Sequence, residues 1–323
     1  AVDGTTGYLK DNATTFWSTA ADGGDVDKGG VGALLAIRDP ATRAIYSNTG
    51  TNGAFEAFNA ANFDASALGL SSEAELYSVL GASTQTAANQ QIEWARGFDA
   101  YDNDGDGDTS DPRSWILGDM LHSQPLVLNY GARGSFTQSN PDLRLLVGSN
   151  SGFVHLFGNS DGQEDWAFFP KELASILPKR RRNTRSNDHV YGMDLTPVTY
   201  IYDSNQDGTL SGDDDKVWAY LGMRRGGRAY YALDLSNPDS PSFMWRIHKS
   251  TQGFDELGQT WSEPAVTRLP GYVDANGVKK PVLVFGAGYD VNKDASGVGA
   301  PDQEGRGLYI VDAETGALVW SVT

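Results

Sequence analysis

Twelve residues in the second half of the chain carry its clearest chemistry: Asp203-Ser204-Asn205-Gln206-Asp207-Gly208-Thr209-Leu210-Ser211-Gly212-Asp213-Asp214. Side-chain oxygens recur at loop positions 1, 3 and 5 as Asp203, Asn205 and Asp207, the spacing with which a calcium loop wraps its ion. Gly208 stands sixth, where the backbone must turn sharply, and Thr209 offers its carbonyl at position 7. Leu210 is the apolar anchor, Ser211 ligates directly or through water, and Asp214 occupies the place usually taken by a longer, bidentate Glu. Calcium suits this set because a hard cation takes roughly six to eight oxygens in flexible geometry. Zinc would need nitrogen or sulfur. Without a cation the same residues make an acidic, solvated hairpin tip. The flanks, Val198 to Tyr202 and Lys216 to Leu221, read as strands, so the site is a strand–loop–strand.

A second run, Asp102-Asn103-Asp104-Gly105-Asp106-Gly107-Asp108-Thr109-Ser110-Asp111, repeats the spacing with Asp102, Asp104 and Asp106, then Gly107 and the Asp108 carbonyl. Arg113 sits at its twelfth position and cannot ligate, so a last ligand must come from Asp111 or elsewhere, and this is the weaker calcium candidate. Asp290-Val291-Asn292-Lys293-Asp294 lacks the glycine, carries a lysine and reads as an ordinary loop. The basic run Lys179-Arg180-Arg181-Arg182-Asn183-Thr184-Arg185 is either a docking patch for an acidic partner or, as we expect, a solvated loop between repeats. Catalytic signals are poor. Gly158-Asn159-Ser160-Asp161-Gly162 spells a nucleophile elbow, but the residues after it turn into a strand and not a helix. His122, His155, His189 and His248 have no metal-ligand spacing. These signals predict a protein that binds and does not catalyse.

The elements that must position these loops repeat along the chain. Pro125, Pro197 and Pro264 each open an apolar run, followed by a run that ends in Gly148, Gly222 or Gly286. A third run follows, at Phe153–Phe157, Ala229–Asp234 and Gly307–Asp312, and a fourth surrounds Trp166, Trp245 or Trp320. Four short strands per unit in a repeated order predict an all-β fold of four-stranded β-propeller blades. Three blades cannot close a ring, since propellers use about four to eight, so a truncated propeller is expected unless residues 1–115 supply strands. Those first residues form a mixed lead-in, partly helical, and residues 116–323 hold the blades. Ser72 with Glu75 reads as a capping box, and Gly97 ends a stretch that starts at Thr84.

The chain of 323 residues carries 42 acids against 25 bases, a net charge of −17. That balance disfavours nucleic acid and anionic membrane surfaces and favours cations as partners. There is no cysteine, which removes disulfides, thiol catalysis and thiolate metal sites. No run reaches the length of a membrane span. The chain starts at Ala1 and reads as an excerpt or a processed product.

From Ser114 onward the sequence resembles the PilY family, the PilC/PilY type IV pilus tip proteins. The residues that carry the likeness are Trp115 to Pro125 (WILGDMLHSQP), Val147 to Gly152, Gly222 to Asp234 (GMRRGGRAYYALD) and Gly307 to Gly316 (GLYIVDAETG). The resemblance covers about two-thirds of the chain. It implies a calcium-binding, secreted, non-enzymatic protein of pilus biogenesis, located at the pilus tip on the cell surface and passing the periplasm and outer membrane during assembly. Its implied partners are minor pilins or other tip components and a host or abiotic surface, and its implied roles are adhesion, twitching motility and control of pilus extension and retraction. The family often carries Asp at the ninth loop position, where this chain has Ser211, which makes Asp214 or Asp213 the replacement ligand. The rival reading is a calcium-dependent quinoprotein (PQQ) dehydrogenase, whose blades also end in tryptophan. A self-sufficient calcium loop and the lack of adjacent cysteines speak against it.

Overall fold

A computed structural model describes every residue except 1, 19, 26–27, 186–187, 213 and 296–298. The described residues are mostly β. The first unit forms β3 (Leu126–Asn129), β4 (Leu143–Gly148), β5 (Val154–Gly158) and β6 (Glu164–Phe168), each antiparallel to the one before. The second forms β7 (Val198–Tyr202), β8 (Lys216–Gly222), β9 (Ala229–Asp234) and β10 (Ser242–His248). The third forms β11 (Ala265–Val273), β12 (Lys279–Gly286), β13 (Leu308–Asp312) and β14 (Leu318–Val322). Both are four-stranded sheets with their strands in chain order.

The first sheet departs from four strands. Two strands of the N-terminal segment, β1 (Ile45–Ser47) and β2 (Glu56–Ala57), extend it to the order β2-β1-β6-β5-β4-β3. β1 runs parallel to β6, with Ile45 opposite Ala167 and Tyr46 opposite Phe168. The cause lies in β6: Trp166, Ala167 and Phe168 are buried, and an open edge beside them would leave backbone groups unpaired in an apolar setting. Arg43, just before β1, reinforces the join by donating from Nε and a terminal nitrogen to the two Glu164 oxygens at 2.8 and 2.9 Å. His155 Nδ1 lies 2.7 Å from the same carboxylate. Burial works against the Glu164 charge, but Arg43 and the His155 contact hold it well below the usual carboxylate range.

The second sheet lies between the other two. Val217, Ala219 and Leu221 of β8, with Ala229, Tyr231 and Leu233 of β9, share a core with the first sheet. The alternate residues Trp218, Tyr220, Tyr230 and Ala232 share a core with Leu283, Phe285, Tyr309 and Val311 of the third. Burial on both faces explains why β8 and β9 read as unbroken apolar runs and not as alternating ones. The sheets stack in a row and do not close into a ring. Side chains stitch the row together. The Trp166 indole donates to the Pro238 carbonyl at 2.9 Å, and the Trp245 indole donates to the Ala313 carbonyl at 3.1 Å. In each pair, the tryptophan of one unit's fourth strand meets the turn before the next unit's fourth strand. Trp320, in the same place in the third unit, is 49% exposed.

The N-terminal segment supplies helices at Gly30–Ala36, Ala65–Leu68, Glu73–Val79 and Gln85–Arg96. Ser72 caps Glu75 N at 3.3 Å, Thr84 caps Ala87 N at 3.2 Å, and Gly97 ends the last helix at φ 116°. Leu76, Leu80, Ala88 and Ile92 pack into the core of the first sheet. The basic run, mostly exposed and between the first two sheets as expected, is a loop only in its second part: Leu177–Arg182 is a short helix with its four cations in the last turn, where they face the negative end of the helix dipole, and Asn183 to Arg185 follow it outside the helix. The Gly158–Gly162 motif is a hairpin turn between β5 and β6, without a helix after it.

Candidate metal centres

The Asp203 loop joins β7 to β8, whose last pair is Tyr202 opposite Lys216. Its acids are held by backbone donors. Asp203 accepts from Gln206 N at 2.7 Å and Gly208 N at 2.8 Å, Asn205 Oδ1 accepts from Asp207 N at 3.0 Å, and Asp207 Oδ1 accepts from Thr209 N at 2.7 Å. The chain turns through left-handed conformations at Gln206 (φ 60°) and Gly208 (φ 78°).

The Asp102 loop has the same frame. Gly107 N donates to Asp102 at 3.0 Å, Asp106 N to Asp104 at 3.3 Å, and Asp108 N to Asp106 at 2.7 Å. Gly105 (φ 78°) and Gly107 (φ 88°) are left-handed at the same fourth and sixth positions, and here Asp102 is left-handed too (φ 50°). Two loops in different parts of the fold thus share one set of backbone-to-side-chain bonds, from position 6 to 1, 5 to 3 and 7 to 5. The side-chain donors of both are oxygens, the set that suits calcium.

The two loops differ in how their acids gather. Carboxylate oxygens of Asp102, Asp104 and Asp106 all lie within 4.8 Å of one another, the one such group among the described residues. Asp111, proposed as a last ligand, has its pKa raised by burial and by the charges of Asp104, Asp106 and Asp108. Its Oδ1 is buried without a hydrogen-bond partner. In the main loop Asp203 and Asp207 flank Asn205, whose Nδ2 donates to Asp207 at 3.0 Å. Thr209 follows them with its carbonyl at position 7, and Ser211 N donates to Asp215 at 3.0 Å. Asp214 lines a cleft with Tyr202, Lys216 and Arg268. Asp213, the alternative last ligand, lies outside the described residues.

Two carboxylates that sequence reasoning passed over anchor the loops. Asp215 is buried and accepts from Ser204 N at 2.9 Å, Gly212 N at 2.7 Å and Ser211 N at 3.0 Å, bonds that hold its pKa down to about 2. Asp99, also buried, accepts from Asn103 N at 2.7 Å and from the Asn103 amide at 2.6 Å. Their one signal in the sequence is an extra acid just outside each twelve-residue frame. The main loop also docks onto the first sheet. Leu210 is buried there and its N–H donates to the Tyr130 carbonyl at 3.0 Å. Gly131 sits so close that a Cβ on it would overlap the Gly208 carbonyl. The Asp290 segment forms a short 3-10 turn capped by Asp290 itself, whose side chain accepts from Asn292 N at 3.0 Å.

Fold and loops together define a protein of stacked, mostly antiparallel sheets with two acidic, oxygen-lined loops that share one hydrogen-bond frame. No protein-family model matches the chain. Over 323 aligned positions it is 31% identical to the type IV pilus biogenesis factor PilY1 of Pseudomonas aeruginosa strain UCBPP-PA14, covering 94% of this chain and 25% of that protein. It is 30% identical to a PilY1 homolog of Xylella fastidiosa, over 57% of this chain and 15% of that protein. Among solved structures, the crystal structure of the P. aeruginosa PilY1 C-terminal domain matches with a TM-score of 0.36 and 26% identity, over 60% of this chain and 32% of that one. The chain belongs to the PilY family. It spans about a quarter or less of the length of the curated relatives it matches.

Proposed function

We propose that this chain is the calcium-binding propeller portion of a type IV pilus biogenesis factor that acts by binding and not by catalysis. The observation that carries the proposal is the hydrogen-bond frame shared by the two acidic loops. The main calcium is held by Asp203, Asn205, Asp207, the Thr209 carbonyl, Ser211 and Asp214, and a weaker one by Asp102, Asp104, Asp106 and Asp108. The ion supplies the positive charge that lets these carboxylates converge. The three sheets are blades, supported by their shared strand order and by the tryptophans that dock unit to unit, and residues 1–115 are their lead-in. In the assembled protein the blades stand at the pilus tip on the cell surface, meet minor pilins, and serve attachment, twitching motility and the balance of extension and retraction. No helix among the described residues is long and apolar enough to cross a membrane. Because the main loop rests on Tyr130 and Gly131 of the first sheet, its occupancy bears on how the first two blades meet.

Titration calorimetry with calcium on the wild type and Asp207→Ala tests the site. The wild type is expected to bind one tight and one weaker ion, and the variant to lose the tight one. Equal binding by both proteins would remove the assignment.

A further inference from the structure

The basic run Lys179 to Arg182 divides its charges. Arg180 and Arg181 turn toward a cavity of about 270 Å3 that Arg113, Trp94, Trp115 and Ser151 also line. Among the described residues no Asp or Glu lines it, although the chain as a whole carries 42 acids.

Arg113 is the least expected of the three. Its guanidinium donates to the carbonyls of Trp94 at 3.0 Å, Ile116 at 3.2 Å and Trp115, and its carbon lies 4.4 Å from the centre of the Trp94 ring. Enclosure, with Arg43 and Arg180 nearby, pushes its pKa down to about 9 against a smaller opposing pull from Asp99. Arg181 donates to Gln91 at 3.0 Å and lies over the Tyr101 ring at 4.2 Å. Among the described residues neither Arg113 nor Arg181 has an ion pair to a carboxylate. Arg180 reaches Asp119 at 3.4 Å. Enclosed charges are ordinarily paired, because an unpaired one is left desolvated. Arg113 is such an enclosed cation without a carboxylate partner among the described residues, and the half-buried Arg180 and exposed Arg181 line the same cavity.

We propose that this cavity binds a phosphomonoester: its dianionic phosphate is held by Arg113 with Arg180 and the exposed Arg181 at the rim, and its organic part rests against Trp94 and Trp115. Two unneutralised guanidinium groups match a group that carries about −1.5 to −2 charges at neutral pH. Their planar forks suit a tetrahedral oxyanion better than lysine would. The volume admits a small ester. The site adjoins the Asp102 loop, whose twelfth position is Arg113 and whose first residue follows Tyr101, the ring under Arg181.

Inorganic phosphate, phenyl phosphate and benzoate are titrated into the intact protein by calorimetry, in calcium-free buffer at constant ionic strength. Phosphate is expected to bind saturably at one site, phenyl phosphate more tightly, and benzoate at least tenfold more weakly than phenyl phosphate. Arg181→Gln, on the exposed side of the cavity, should weaken phenyl phosphate at least tenfold. Arg182→Gln, on the same helix but outside the cavity lining, should leave it unchanged. No saturable phosphate binding, or unchanged binding by Arg181→Gln, would overturn the site. An equal loss from Arg182→Gln would reduce it to a diffuse basic patch, and benzoate as tight as phenyl phosphate would overturn the dianion assignment. Arg113→Gln removes the most enclosed cation and should abolish binding; if it does not fold, Arg181→Gln alone decides.

Discussion

Asp215 shows how one side chain outside the ligand frame controls a loop. Three backbone N–H groups from both ends of the Asp203 loop converge on its carboxylate. They stabilise the charged form, so the folded pKa, about 2, lies below the ordinary 3.8. The linkage has a definite sign: the contribution is present in full above the unfolded value and is lost as pH falls from about 4 toward 2. We therefore expect Asp215→Asn to lower the urea midpoint at pH 6, with the gap from wild type narrowing steadily below pH 4. If the loop binds calcium as proposed, its affinity should fall as well, although Asp215 stands outside the proposed ligand set, because the loop that carries Asp203 and Ser211 is no longer tied. A gap that stays constant down to pH 2 would show that the charge of Asp215 does not hold the loop.

At the level of elements, the contacts between sheets are the parts most open to measurement. The Ala313 carbonyl accepts from the Trp245 indole at 3.1 Å and from the Tyr220 hydroxyl at 3.2 Å. Trp245→Phe alone should therefore cost only about 0.5–1.5 kcal/mol for the lost bond, plus the loss of packing area, since the carbonyl keeps a partner. Trp245→Phe with Tyr220→Phe orphans the buried carbonyl. The double variant should be less stable than the sum of the singles by about 1 kcal/mol or more. Strict additivity in denaturant unfolding would mean that the carbonyl finds another donor and that this bond pair does not join the sheets.

The molecule as a whole is acidic at net −17, and its acids are densest in the two loops. A cation that binds only the folded state adds stability that grows with its concentration, about 2.7 kcal/mol at one hundred times Kd. If the main loop acts as proposed, calcium raises the thermal midpoint of the wild type in a saturable way. In the organism, Asp203→Ala should change pilus extension or retraction while the protein stays present at normal levels. Normal piliation and twitching in that variant would refute calcium control. Quinone-dependent alcohol oxidation by the purified protein would instead restore the enzyme reading.

The strands of the repeat were legible from the sequence because each is bounded by its own proline, glycine or turn, and local spacing is enough to mark such boundaries. The same holds for the helix caps at Ser72 and Gly97 and for the spacing of oxygens in the two acidic loops, which are contiguous in the chain. Contacts between distant segments were not legible. Nothing near Ile45 announces that it will pair with Ala167, since a parallel partner is chosen by which edge needs covering and not by local pattern. Asp215 and Asp99 read as two more acids in acidic stretches until folding brought backbone donors onto them. The basic run read as a solvated loop between repeats; it is mostly exposed and lies between the first two sheets, but the helix over its first four residues was not legible from charge density. Only the tertiary structure brought Arg180 and Arg181 to the same cavity as Arg113, more than sixty residues away, with no acid lining it among the described residues.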